Sequence, residues 1–220
     1  MIDDIIHVYC MPGMAASPAI FEYIKLPTNK FELHYLEWSI PIKGISLAEY
    51  AKSMCTWVKH DNVVLLGVSF GGILVQEMTK FLKVRKVIIV SSVKTRYELP
   101  KRMIFARYTR VHKLLPTGLV NNVELLAKYA FGESVVKRIS LYERYLSVRD
   151  KYYIDWCIDN IVNWSQEIPC INLVHIQGEK DTVFPIVNIK SCLPVTNGTH
   201  TMIIHRAKWF NENLPTIILE

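Results

Sequence analysis

The sequence has no C-x-x-C pair, no basic leader behind Met1, and no apolar stretch near the roughly 20 residues that span a bilayer. Its cysteines stand at positions 10, 55, 157, 170 and 192. An odd set without framework spacing excludes a disulfide scaffold and points to a reducing compartment. Cys10, Cys55 and Cys170 lie in or beside apolar runs, where a thiol behaves as a small hydrophobe. The opening Met1-Ile2-Asp3-Asp4 lacks the charged region of a signal peptide, so a cytoplasmic protein is expected. Metal and nucleotide motifs are missing too. There is no H-E-x-x-H, no P-loop, and no G-x-G-x-x-G after a strand. Gly71-Gly72 has no lysine at P-loop spacing, and neither cofactor nor metal is expected. No internal repeat or low-complexity segment occurs.

What remains is a globular balance: 220 residues, 50% apolar and 21% charged, enough for a sizeable core in one domain. The formal charge is +6. The positive residues form no long run, which argues against a nucleic-acid arm. They are uneven, however: residues 94–167 hold 13 Lys/Arg against 8 Asp/Glu. That excess reads either as a solvated helical surface or as a basic rim drawing anionic substrates.

Along the chain, strand-like and helix-like segments alternate. Ile5 to Cys10 is rich in β-branched and aromatic residues and stops at Pro12-Gly13, as a buried strand would. A second extended stretch runs from Phe31 to Trp38. Ser46 and Glu49 form a capping box ahead of an amphipathic helix carried by Leu47, Tyr50, Ala51, Met54, Trp57 and Val58, which ends near His60. Asn62 to Val68 reads as a central strand buried on both faces. A helix follows directly on Ile73, Leu74, Val75, Met78, Phe81 and Leu82. Val84 to Ser91 is a further buried strand. Short connections in this order predict parallel pairing with right-handed crossovers.

Between Lys94 and Glu167 the pattern becomes wholly helical, with segments at Arg102–Leu115, Leu119–Tyr129, Ser134–Val148 and Tyr152–Trp164. The aromatic content there, including Tyr97, Phe105, Tyr108, Tyr145, Tyr153 and Trp156, suits a lid over the strand ends. Strands resume at Ile171–Ile176 and near Ser191–Val195, and a helix from Met202 to Asn213 closes the chain. The expected class is α/β, a mostly parallel sheet flanked by helices. Residues 1–93 and 168–220 form the core and residues 94–167 a helical insertion.

The sharpest local signal is Gly67-Val68-Ser69-Phe70-Gly71-Gly72. The serine sits where a buried strand turns into an apolar helix, as a nucleophile elbow requires. So tight a turn projects the hydroxyl above the sheet and leaves no room for side chains at 67 and 71. The helix N-terminus beside Ser69 favours negative charge. Through this motif and the strand–helix order of nearly the whole chain, the sequence resembles the α/β-hydrolase family. That resemblance implies an oxyanion hole of two backbone N–H groups. One is that of Phe70, the residue after the nucleophile. The other comes from the loop Met11-Pro12-Gly13-Met14-Ala15, where Met14 is the matching position. Relatives often carry His-Gly in this loop, and here Pro12-Gly13 stands instead.

A serine hydroxyl needs a base within reach, and the family order is Ser, then Asp or Glu, then His. Gly178-Glu179-Lys180-Asp181-Thr182-Val183-Phe184-Pro185 follows a strand and resembles the family's acid-bearing loop G-x-x-D-x-x-x-P. Asp181 is the candidate acid, with Glu179 as the alternative. His200, in Asn197-Gly198-Thr199-His200 before the last helix, is the candidate base. His205 falls inside that helix, facing away from the loop. His7 and His175 fall in strands, as core or sheet-edge residues, and His34, His60 and His112 read as surface positions. The expected activity is hydrolysis of a carboxylic ester or thioester of a small-molecule acyl substrate. Acyl transfer by the same residues and a non-catalytic binding protein of this fold are the alternatives. The sequence does not specify the substrate or the oligomeric state.

Overall fold

Among the described residues six strands account for the apolar runs, and all pair in parallel. The computed structural model describes residues 5–114 and 144–220. Its sheet comprises β1 (Ile6–Met11), β2 (Phe31–Tyr35), β3 (Val63–Val68), β4 (Lys86–Val90), β5 (Leu173–Gly178) and β6 (Leu193–Val195), in the order β2-β1-β3-β4-β5-β6. The unbroken run Val63-Val64-Leu65-Leu66-Gly67-Val68 is buried at every position. It lies between β1 and β4, with His7 paired to Val63 and Val68 to Val90. A strand covered on both faces gains nothing from alternation, which is why its sequence is continuously apolar.

The α-helices of the described residues are α1 (Leu47–Met54), α2 (Phe70–Met78), α3 (Lys101–Thr109), α4 (Lys151–Asn163), α5 (Met202–His205) and α6 (Ala207–Leu219). At α1 the predicted capping box is present: the Glu49 amide donates to Ser46 Oγ at 3.2 Å and the Ser46 amide to Glu49 Oε2 at 2.9 Å. Every residue of α2 is buried; Gln76 donates to Val93 O and Glu77 accepts from the Trp164 indole, so its polar positions are satisfied inside.

This topology fixes where a site can form. After β1 the chain turns towards β2, and after β3 it turns towards β4, on the opposite side. The connections leaving the carboxyl ends of β1 and β3 therefore diverge and open a crevice between them. The loop Pro12–Ala15 and the turn at Ser69 lie at its mouth.

The structure differs from the sequence reading at several places. The Arg102–Leu115 segment is a helix only through Thr109; Arg110 takes a left-handed conformation (φ 57°) and a 3-10 turn, Val111–Leu114, follows. Leu119–Tyr129 lies outside the described residues, as does most of Ser134–Val148. The end of the latter is not helical: Leu146 bridges Ala16 in antiparallel fashion. Of the lid aromatics, Tyr97, Phe105 and Tyr108 are exposed, whereas Tyr145, Tyr153 and Trp156 are buried. The closing helix breaks at Arg206 and then continues through Pro215 to Leu219. Burial of Leu214, Ile217 and Ile218 outweighs the hydrogen bond that Pro215 cannot donate. Among the described residues, no helix is long and apolar enough to cross a membrane.

Candidate active site

Ser69 sits between β3 and α2 with φ 54° and ψ −121°, a backbone conformation that costs a non-glycine residue on the order of 1–3 kcal/mol. Its surroundings enforce the strain. The Ser69 amide donates to Val90 O at 2.9 Å, and its carbonyl accepts from the Ser92 hydroxyl at 2.7 Å and the Gly72 amide at 2.9 Å. The glycines are required by contact. A Cβ on Gly67 would lie 2.4 Å from Gly71 O, and one on Gly71 would lie 2.3 Å from Pro12 O. The elbow is thus packed directly against the loop after β1.

The remaining two predicted residues arrive from the far end of the chain. Asp181 follows β5, and His200 follows the turn beyond β6. Gly178 and Gly198 bring these segments together, since a Cβ on Gly178 would meet Gly198 O at 2.4 Å. His200 Nε2 lies 3.0 Å from Ser69 Oγ, and His200 Nδ1 lies 2.9 Å from Asp181 Oδ2. All three residues are buried, at 8%, 4% and 4% exposure for Ser69, His200 and Asp181. An ionised carboxylate cannot donate, so Nδ1 carries the imidazole proton and Nε2 is the acceptor that faces the hydroxyl.

Burial alone would raise the Asp181 carboxyl. The adjacent His200, through charge and hydrogen bond, and the Phe184 and Val183 amides, at 2.9 and 2.8 Å from Oδ1, reverse that and hold it below the ordinary carboxylate value. Glu179, the alternative acid, instead accepts from the Asn197 amide at 3.1 Å. His205 does not face away from the loop: its ring nitrogens lie 3.4 Å from the Thr199 and Thr201 hydroxyls. Helical side chains point back towards the preceding turn, which carries it there. His112, read as a surface residue, is buried, with Nε2 2.9 Å from Asp159 Oδ1.

Sequence reasoning did not find the polar chain behind the acid. Gln177 Nε2 donates to Asp181 Oδ2 at 3.0 Å and to Phe184 O at 2.6 Å. Gln177 Oε1 lies 3.0 Å from His175 Nε2, and His175 Nδ1 lies 3.3 Å from Lys94 Nζ. Lys94 pairs with Glu98 at 3.0 Å. Because the lysine can only donate, His175 accepts at Nδ1, carries its proton on Nε2 and donates to Gln177. Burial first, then the Lys94 charge, push His175 down to about 4, so it is neutral near pH 7. The available signal was the alternation of His175 and Gln177 on one face of β5. Lys94, counted with a basic rim, is instead buried in this network.

The loop between β1 and β2 completes the site. The Trp38 indole N–H lies 2.8 Å from Gly13 O and 3.1 Å from Pro12 O, and its ring stacks on Phe70. The Ala15 amide donates to the Tyr153 hydroxyl at 3.1 Å and the Ser17 amide to Tyr145 O at 2.7 Å, so the segment preceding β5 braces this loop. A cavity beside Ser69 and His200 is lined by Gly13, Ala16, Ile20, Val68 and Ile203.

Neither a protein-family model nor a curated protein matches the chain in sequence. Solved structures do match. A bromoperoxidase from Bacillus anthracis superposes with a TM-score of 0.68 at 16% identity, covering 99% of this chain and 93% of its own. A hydrolase from Pseudomonas aeruginosa gives 0.68 at 13% identity, over 97% and 90%. A thermophilic esterase from Thermogutta terrifontis gives 0.64 at 11%, over 96% and 90%. The chain has the α/β-hydrolase fold.

Proposed function

We propose that this protein is a serine hydrolase that cleaves a carboxylic ester or thioester through an acyl-enzyme on Ser69. The observation that carries the reading is the unbroken series Ser69 Oγ, His200 Nε2, His200 Nδ1, Asp181 Oδ2, with contacts of 3.0 and 2.9 Å. His200 takes the Ser69 proton as the hydroxyl attacks the acyl carbon. Asp181 keeps the imidazole proton on Nδ1 and stabilises the imidazolium that forms. The tetrahedral oxyanion is received by the Phe70 amide, at the first position of α2, and by the Met14 amide. Neither amide has a protein acceptor among the described residues. His200 then returns its proton to the leaving oxygen or sulfur, and water releases the acyl group by the same route. No cofactor is needed.

Ala16, Ile20 and Ile203 suit an aliphatic acyl group beside the hydroxyl. Residues 94–167 act as the cap of this pocket, in keeping with the hold of Tyr145 and Tyr153 on Ser17 and Ala15.

Labelling with a fluorophosphonate and hydrolysis of short-chain esters and thioesters test the reading. Wild type should react covalently at Ser69 and turn over; Ser69→Ala should do neither while keeping its circular dichroism. Unchanged hydrolysis by Ser69→Ala rejects the nucleophile. Absence of both labelling and turnover in the wild type favours a binding protein on the same fold.

A further inference from the structure

The amino edge of the sheet carries a second cluster, away from Ser69. β1 and β2 pair with His7 opposite Glu32 and Tyr9 opposite His34. Partners in register share a face, and alternation returns to that face every second residue. His7, Tyr9, Glu32 and His34 therefore lie on one side. His60, three residues before β3, folds over them. Its ring is stacked on His7 at 3.8 Å between centroids. His7 Nδ1 and His34 Nε2 are 3.0 Å apart, and one ring nitrogen from each of the three histidines lies within 4.8 Å of the others. Glu32 Oε2 stands 3.4 Å from His7 Nδ1 and 3.9 Å from His34 Nε2.

We propose that His7, His34 and His60, with Glu32 as a fourth donor, form a zinc-class metal site. Three imidazoles and a carboxylate are a donor set that Zn²⁺ accepts in tetrahedral geometry. Zn–N bonds near 2.0–2.1 Å place two tetrahedral nitrogens about 3.3 Å apart. The His7–His34 spacing already approaches this. His60 is exposed and precedes the strand in a loop, so its ring can rotate out of the stack on His7 about its Nδ1 contact with Tyr9 and turn the Nε2 lone pair to the ion.

The surroundings supply the outer support that such sites use. Tyr9 is buried, and its hydroxyl lies 2.7 Å from His60 Nδ1 and accepts from the Lys59 amide at 3.0 Å. With Nδ1 anchored on the phenol, His60 coordinates through Nε2. His7 pairs with Val63, six residues before Ser69, so the site stands on the order of 20 Å from the nucleophile at 3.3 Å per residue. It joins β1, β2 and the segment before β3, and takes no part in the acyl chemistry.

Zn²⁺ binding to the reduced full-length protein, measured by competition with a chromophoric chelator at neutral pH, tests this, with Co²⁺ as the spectroscopic probe. One equivalent should bind. Co²⁺ should give tetrahedral d–d bands without the near-ultraviolet charge-transfer band of a thiolate ligand. His60→Ala, at an exposed loop position, should weaken Zn²⁺ binding by about tenfold or more. Tyr9→Phe, which keeps the ring and removes the anchor, should weaken it about 10–100-fold. Zn²⁺ should raise the melting temperature of wild type more than that of His60→Ala. No bound equivalent, a thiolate band, or unchanged affinity in folded His60→Ala overturns the assignment.

Discussion

The Trp38 indole N–H lies 2.8 Å from the Gly13 carbonyl, and the same ring lies parallel to Phe70 with centroids 5.1 Å apart. One side chain thereby touches both segments proposed to stabilise the oxyanion. The Gly13–Met14 peptide is planar and trans, so a carbonyl turned towards Trp38 turns the Met14 N–H the other way.

Trp38→Phe should keep the stacking and lose the hydrogen bond. The Met14 amide is then free to swing, and kcat should fall by about 10-fold or more, below the 10²–10³ typical of losing an oxyanion donor outright. KM should change little, because the donor acts in the transition state. Steady-state kinetics on a short-chain ester checks this; a change confined to KM would show that the indole serves substrate binding instead.

Asp181→Asn should retain the fold and lose turnover. An amide in that place can donate its own N–H to Nδ1 and force the proton onto Nε2, where it faces the Ser69 hydroxyl. A comparable change in another serine hydrolase costs about 10⁴ in kcat. Single-turnover acylation measures the loss; a rate within a few-fold of wild type would remove Asp181 from the mechanism.

Gln177→Met tests the support behind the acid. The side chain is fully buried and holds Asp181 Oδ2 and Phe184 O together. Its loss strands Phe184 O and His175 Nε2, at about 1–3 kcal/mol for each buried group left without a partner. Stability to urea should fall, and kcat should drop less than in Asp181→Asn, because the Val183 and Phe184 amides still hold Oδ1. Equal losses in the two variants would contradict this order.

The pH dependence of stability should show two windows. Burial and Lys94 hold His175 at about 4, below the 6.5 of an unfolded histidine, so between those values the unfolded chain binds a proton that the folded chain refuses. Stability therefore falls on acidification through this window, by at most about 1.4 kcal/mol per pH unit for this one group. Asp181 is held below its ordinary value, so its contribution is present above about 4 and is lost as pH falls further. His175→Gln should flatten the upper window by one proton. The fall through it should not vanish, because burial also lowers His34 and His205. Urea midpoints across pH decide it; an unchanged upper window in the variant would place the dependence elsewhere.

Gly71→Ala should be severely disruptive, because its Cβ would meet Pro12 O at 2.3 Å and Met11 O at 2.5 Å, both backbone. The loop after β1 must move away, at about 1–3 kcal/mol of overpacking. Calorimetry and fluorophosphonate labelling should both report it; wild-type values for both would refute the close packing of elbow on loop.

The sequence by itself determined the strands, the capped helix, the strained serine turn and the candidate triad. The first three rest on neighbours a few positions apart: continuous apolar runs, Ser46 with Glu49, and glycines flanking Ser69; Asp181 and His200 follow from loops that resemble those of the α/β-hydrolase family. Tertiary structure alone decided what joins distant segments. The relay from Asp181 through Gln177 and His175 to Lys94, the hold of Trp38 on Gly13, and the three-histidine cluster each unite residues whose separation carries no period. A buried lysine and a surface lysine look alike in a sequence; only packing, which removes water and surrounds Lys94 Nζ with Glu98, His175 and the Ser191 carbonyl, tells them apart.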